Sequence, residues 1–269
     1  MKHYLRLELN RAFRGRYMAI ALLVGCGLSL WHFYDYIWPL RTCVLQGSYP
    51  LSSFDRWIGG ENYSFQAKIY FMFLPILCAL PHSASWLFDG ASGFGNQAVI
   101  RWGQREYVRA KYLATFLSGA AVAVLPLLFD FLVTNLAAPA VCPQAGYGLS
   151  PINETKLWSD LYFSHPFLYL SAYLLMDGVF YGLFTTLSLT GTIFLRNRYL
   201  VQLLPFLAYM GLYCLGSTTG YLSMCPAGFL RPSQLFAAQP PWVIGEAAIL
   251  LAAGGLFIHH SERQEMGLL

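Results

Sequence analysis

Six apolar runs, at about 17–38, 69–88, 113–138, 166–195, 199–216 and 242–258, constrain this chain more than any other feature. Each is near the roughly 20 residues that a helix needs to cross a bilayer. The runs predict an all-α membrane protein of six transmembrane helices in a single domain. Charged residues make up only 11% of the chain, where a soluble domain averages about 25%, so a soluble globular fold is excluded on composition. Aromatics, at 17%, suit the Trp and Tyr belts of a membrane interface. The basic residues are scattered over several short loops, which leaves no footprint for nucleic acid.

Lys and Arg set the orientation. With the N-terminus inside, the inner segments hold Lys2, Arg6, Arg11, Arg14, Arg16, Arg101, Arg105, Arg109, Lys111, Arg196, Arg198 and Arg263. The outer segments hold Arg41, Arg56, Lys68, Lys156 and Arg231. Twelve against five, with the longer loops outside, predicts both termini in the cytoplasm. Residues 1–16 place Leu5, Leu9, Ala12 and Phe13 on one helical side and Lys2, Arg6, Asn10 and Arg14 on the other, with Leu7 out of pattern. That spacing predicts an amphipathic helix on the membrane surface rather than a cleavable signal.

The stretch 89–112, DGASGFGNQAVIRWGQREYVRAKY, joins the second and third runs. Asn96 is a plausible N-cap, and between Gln97 and Tyr112 only Gly103 opposes a helix. Arg101, Arg105 and Arg109 would then share one face. Two readings follow: a positive loop held near lipid phosphates, or a handle by which something outside the membrane moves the helices.

Motifs of soluble chemistry are missing. The sequence contains no G-x-x-x-x-G-K-[ST], no G-x-S-x-G and no H-E-x-x-H, so neither catalysis nor ATP binding through a phosphate loop is expected of this chain, and no cofactor or metal. His32, His82, His165, His259 and His260 fall at different depths, against a bis-histidine site. Asn153-Glu154-Thr155 is a glycosylation sequon that has meaning only outside bacteria. Asp130, Asp177 and Glu246 lie inside apolar runs, and Asp35 near the end of one. Acids within a membrane are expensive and face water or the protein interior, which marks them as candidates for a cargo path. For Asp35, Asp130 and Glu246 the other reading is a place among the outer headgroups, whereas Asp177 falls deeper. Pro75, Pro81, Pro126 and Pro205 predict kinks. Cys26, Cys78 and Cys214 read as small apolar residues within spans. Cys43, Cys142 and Cys225 fall one in each outer loop, and an oxidising exterior allows one pair among them.

This layout resembles the permease subunit of a type-2 ABC exporter. The residues that carry the resemblance are IRWGQREYVRAKY, Ile100 to Tyr112, which are similar to the run that many such permeases place before their third span. The resemblance implies that 89–112 holds a coupling helix, docked on a separate ATP-binding subunit through Arg101, Trp102, Arg105 and Tyr107. It implies that 1–16 is a connecting helix and that 218–241 is an outer re-entrant segment. It further implies a partner ATPase carrying ATP and Mg, a second permease copy or homologue, and a bacterial plasma membrane. The expected function is outward movement of a peptide, antibiotic or other amphipathic cargo, and the acids toward the outer side favour a cationic one. The alternatives are a stand-alone ion-coupled carrier or channel using Asp177, against which the lack of internal repeats counts, and a non-transporting scaffold or sensor.

Overall fold

The computed structural model describes residues 2–45, 52–144 and 150–263, and every regular element among them is helical. The elements are α1 (Lys2–Phe13), α2 (Arg16–His32), α3 (Trp38–Leu45), α4 (Ser53–Arg56), α5 (Phe65–Ala79), α6 (Ser85–Ser92), α7 (Phe94–Trp102), α8 (Gln104–Thr134), α9 (Ser159–Ser164), α10 (Pro166–Gly191), α11 (Arg198–Thr219), α12 (Pro226–Phe229) and α13 (Pro240–Arg263).

Five helices are long and apolar enough to cross a membrane: Arg16–Thr42, Gln104–Thr134, Pro166–Gly191, Arg198–Thr219 and Pro240–Arg263. The second apolar run behaves differently. It forms the 15-residue α5, which at about 1.5 Å per residue falls short of a bilayer core. The chain then turns through residues 80–84 and continues as α6, so the helix expected over 69–88 is two pieces with Pro81 in the turn between them. The first span runs past its expected end at residue 38. Pro39 has no N–H to donate back to Asp35, and the register slips just before it. Phe33–Ile37 form a π-turn, with the Trp38 N–H bonded to the Phe33 carbonyl.

α8 and α10 are the central pair of the bundle, with α2, α5, α11 and α13 around them. Small residues allow the close approach. A Cβ on Gly119 would meet the Thr185 side chain, and one on Gly182 would meet Phe116. On the α2 side, a Cβ on Gly25 would meet Pro126.

The two ends of the bundle differ. At one end lie α1, α6, α7, the start of α8 and the end of α13. Gln104 donates to the Ser261 carbonyl at 2.8 Å and Arg109 pairs with Glu262 at 2.7 Å, so both ends of the described chain sit together. At the opposite end, residues 220–239 fold back onto the helices. Phe229 packs on Phe180, Arg231 lies over the Phe71 ring, and Tyr169 donates to the Pro232 carbonyl at 2.6 Å. The Lys156 ammonium and the Leu157 N–H both bond Gln234, closing the loop that precedes α9 onto this segment.

Cys142 and Cys225 are free thiols, the first exposed and the second buried beside the α11 carbonyls of Leu212 and Tyr213. They do not form the disulfide that their loop positions permitted. The Cys43 side chain lies outside the described residues.

Candidate functional site

The stretch 89–112 is not one helix. α6 ends at Gly93, which takes φ +73°, and α7 ends at Gly103 with φ +87°; both are backbone states that favour glycine. α8 begins at Gln104, not near residue 113, so the second half of the basic stretch is the first turns of a spanning helix. Asn96 lies inside α7 and caps nothing, since Gly93 occupies the cap position. The break at Gly103 also separates Arg101, on α7, from Arg105 and Arg109, on α8. The three arginines therefore share no single face.

The four residues expected to form a docking surface divide. Arg101 and Arg105 are exposed at the tip, next to Ile100, which is 88% exposed. Trp102 is half-buried: its ring packs at 4.8 Å on Tyr4 of α1 and receives the Arg101 guanidinium at 5.5 Å. Tyr107 is buried between Tyr4 and Trp86, and its hydroxyl donates to Asp89 at 3.3 Å. Tyr107 therefore faces the protein interior.

Behind this tip is a cluster of buried charge that sequence reasoning missed. The Lys111 ammonium, fully buried, lies 2.9 Å from the Glu8 carboxylate and 2.6 Å from that of Asp89. Arg11 bridges the same two acids, at 2.8 Å to Glu8 and 2.7 Å to Asp89. Glu8 also accepts from the Tyr4 hydroxyl at 2.7 Å and meets His82 Nε2 at 3.0 Å. Two acids thus meet two permanent cations, so the buried charge cancels, and three chain segments become one body. Burial alone would raise the Glu8 pKa. The His82 hydrogen bond, the Lys111 charge and the Tyr4 hydroxyl outweigh it and hold the carboxyl well below the usual range.

The inward stripe of α1 is accordingly Tyr4, Glu8 and Ala12, with Leu5 and Leu9 only partly covered. The apolar side expected of residues 1–16, with Leu5, Leu9, Ala12 and Phe13, shares Ala12 with this stripe but is turned about a quarter of the way round the helix from it. A Tyr at i and a Glu at i+4 on one face was the visible sign, but nothing in sequence spacing announces that Lys111 would meet them.

The acids expected along a cargo path have different surroundings. Asp130 is fully buried, accepts from the Ile58 N–H at 2.7 Å and meets His32 Nδ1 at 3.2 Å. It fastens the loop before α5 to α8. His32 Nε2 is in turn 3.7 Å from Glu61, which accepts from the Tyr63 and Ser64 N–H groups just ahead of α5, while the Ser64 hydroxyl caps the helix. Asp177, fully buried on α10, is different: neither carboxylate oxygen has a hydrogen-bond partner among the described residues. Tyr70, Cys78, Tyr181 and Tyr209 are within electrostatic reach of it, which places it toward α5 and α11. Glu246 is buried with both oxygens likewise unpartnered among the described residues. An open apolar groove of about 990 Å³ runs along α1, α8 and α10, and none of the three acids lines it. All three acids are buried, Asp130 and Asp177 completely.

This contrast gives a direct test. Asp177→Asn loses no hydrogen bond and is expected to melt within about 1 kcal/mol of the parent. Asp130→Ala orphans the Ile58 N–H and a His32 nitrogen, at roughly 1–3 kcal/mol for each buried group. Thermal melts of both variants in one detergent check the order; equal losses would mean that Asp177 carries structural bonds of its own.

Comparison of the chain with protein-family models, with curated proteins and with solved structures finds no match. Helix length and apolarity support an integral membrane protein. Among the described residues no group of three or more His, Cys, Asp or Glu side chains is placed to hold a metal.

Proposed function

We propose that this chain is the membrane-spanning subunit of an ATP-driven exporter of the type-2 ABC class, with ATP hydrolysed by a separate subunit. The observation that carries the reading is mechanical. α1, α6 and α8 are locked by the ion pairs of Glu8, Arg11, Asp89 and Lys111, and α7 presents Ile100 and Arg101 at the tip of that body. A push on α7 would pass into α8, the longest spanning helix and a partner of α10, without bending a loop. A loop that served only as a topology signal would need no such bracing.

In this reading α5, with the turn that follows it, makes a sixth crossing, and the end bearing α1 and α7 is cytoplasmic. Residues 220–239 cap the outer side. A second permease copy completes the path, and the cargo is a peptide, antibiotic or other amphipathic molecule. Asp177 favours a second reading, a stand-alone ion-coupled carrier, because its buried carboxyl has no partner among the described residues and lies deep in the bundle.

Thiol labelling tests the orientation. Native Cys142, exposed at the outer end, is expected to react with an impermeant reagent from outside. Asn96→Cys in a Cys43→Ser, Cys142→Ser background is expected to add labelling only after the membrane is opened. Labelling of both from one side would overturn the topology. Purified alone, the chain is expected to hydrolyse no ATP, and an ATPase encoded beside it should co-purify with it. Steady turnover by the isolated chain would contradict the division of labour.

A further inference from the structure

A second basic feature sits at the same end of the bundle. A cleft of about 280 Å³ opens between the start of α2, the turn before α6 and the start of α11, with Arg16, His82, Ser85, Phe88 and Gln202 among its walls. Its charge is unbalanced. Arg11, at its edge, is committed to Glu8 and Asp89. Arg16 has no acid within ion-pair distance among the described residues, and only a long 3.4 Å bond to the Tyr17 hydroxyl. Arg198 lies one turn before Gln202 on α11, with its guanidinium 5.5 Å from the Phe88 ring, and among the described residues it hydrogen-bonds only the Tyr199 hydroxyl. The nearby acids, Glu8 and Asp89, are already satisfied from within the cluster. The Ser85 hydroxyl is buried and has no partner among the described residues.

Arg16 and the Gln202 amide therefore line one concave surface, Arg198 stands over the Phe88 ring at its rim, and the unpartnered Ser85 hydroxyl is buried in its wall. Guanidinium groups suit phosphate oxygens geometrically as well as electrically. The rim is aromatic and exposed, with Tyr17, Phe88 and Tyr199, as at a membrane interface. Beyond it the flanks of α2 and α11 expose Ile20, Leu23, Leu200 and Leu207. An anion bound here would have its polar part in the cleft and apolar surface running away from it along both helices.

We propose that this cleft binds the phosphate of an anionic phospholipid, with Arg16 and Arg198 as its charge partners, Ser85 and Gln202 as neutral donors, and the acyl chains along α2 and α11. The site depends on the chain lying in a bilayer and not on the transport reading.

The full chain is purified in a neutral detergent and titrated with dioleoyl-phosphatidylglycerol, dioleoyl-phosphatidylcholine, inorganic phosphate and glycerol 3-phosphate, and bound lipid is counted by native mass spectrometry. Each basic residue at an anionic headgroup is worth about fivefold in affinity. Arg16→Gln and Arg198→Gln are each expected to weaken phosphatidylglycerol binding about fivefold, and together about 25-fold. Arg16→Lys should keep most of it, and Arg6→Gln, on exposed α1 away from the cleft, should change it little. Phosphatidylcholine should bind weakly and equally to all variants. Equal binding of the two lipids by the parent, or a loss with Arg6→Gln as large as with Arg16→Gln, overturns the site. Displacement of the lipid by millimolar inorganic phosphate or glycerol 3-phosphate would assign the cleft to a soluble anion and overturn the lipid.

Discussion

Lys111→Ala is expected to cost roughly 3–5 kcal/mol, because it leaves Glu8 and Asp89 buried with one cation fewer between them. For a chain of this size that corresponds to a fall in the melting midpoint of about 10 °C. Removing the charge pair together is a different perturbation. In Glu8→Gln with Lys111→Met the remaining acid, Asp89, keeps Arg11 and the Tyr107 hydroxyl, and much of the loss should return. Arg109→Ala, two residues before Lys111 but on the exposed side of α8, is the contrast. Its pair with Glu262 is half in solvent, and the loss should be well under about 1 kcal/mol. Melts of the four proteins check this; a Lys111 variant no weaker than the Arg109 variant would mean that the cluster does not hold α1 to α8. The pH dependence has a definite sign. Because the Glu8 pKa is held below its ordinary value, its stabilisation is fully present above the ordinary glutamate pKa of about 4.3 and is lost as pH falls through the lower, folded value. The Glu8 contribution should therefore be constant from about pH 6 to 8 and decline only in strong acid. The measurement is the difference between parent and Glu8→Gln melting midpoints across that range.

The second large effect concerns the tip. If α7 docks on an ATP-binding subunit, a few residues should dominate the contact, and Arg105→Ala is expected to cost about 2 kcal/mol or more, over tenfold in affinity. Ile100→Ala should follow, since a side chain so exposed packs on nothing in this chain. Trp102→Ala is a mixed test, because its ring also packs on Tyr4 and its loss loosens α1. Tyr107, which sequence placed among the anchors, should instead act on stability, because its hydroxyl and ring are engaged inside. The readout is co-purification of the proposed ATPase subunit with Arg105→Ala, Ile100→Ala and the surface control Arg6→Ala. Retention equal to the control would leave the basic tip as a topology signal alone.

Much of the architecture was legible because the bilayer imposes a length and a charge rule on the chain. A run such as 166–195 has few stable forms other than a helix that hides its own backbone groups, and α10 lies within it. The crowding of Arg and Lys at one end could be counted from the sequence. Gly103 was visible as the lone breaker in 97–112, but its positive φ decided that α7 and α8 are separate helices, and with that the shared arginine face disappeared. Local spacing cannot say whether one glycine bends a helix or ends it. The buried cluster was less legible still. Arg11 meets Asp89 across 78 residues of chain, and Lys111 completes the pair from a third segment. Such ions read as surface charges one at a time, since what makes them tolerable in the interior is a partner that only the packed helices supply. The intramembrane acids show the same division. Asp130 and Asp177 look alike as lone carboxyls in apolar runs, and their cost was evident from composition. Tertiary structure alone gave Asp130 the Ile58 amide and His32 while leaving Asp177 without a hydrogen-bond partner among the described residues. The reason is physical: burial is a property of one residue, but satisfaction of a buried charge is a property of at least two.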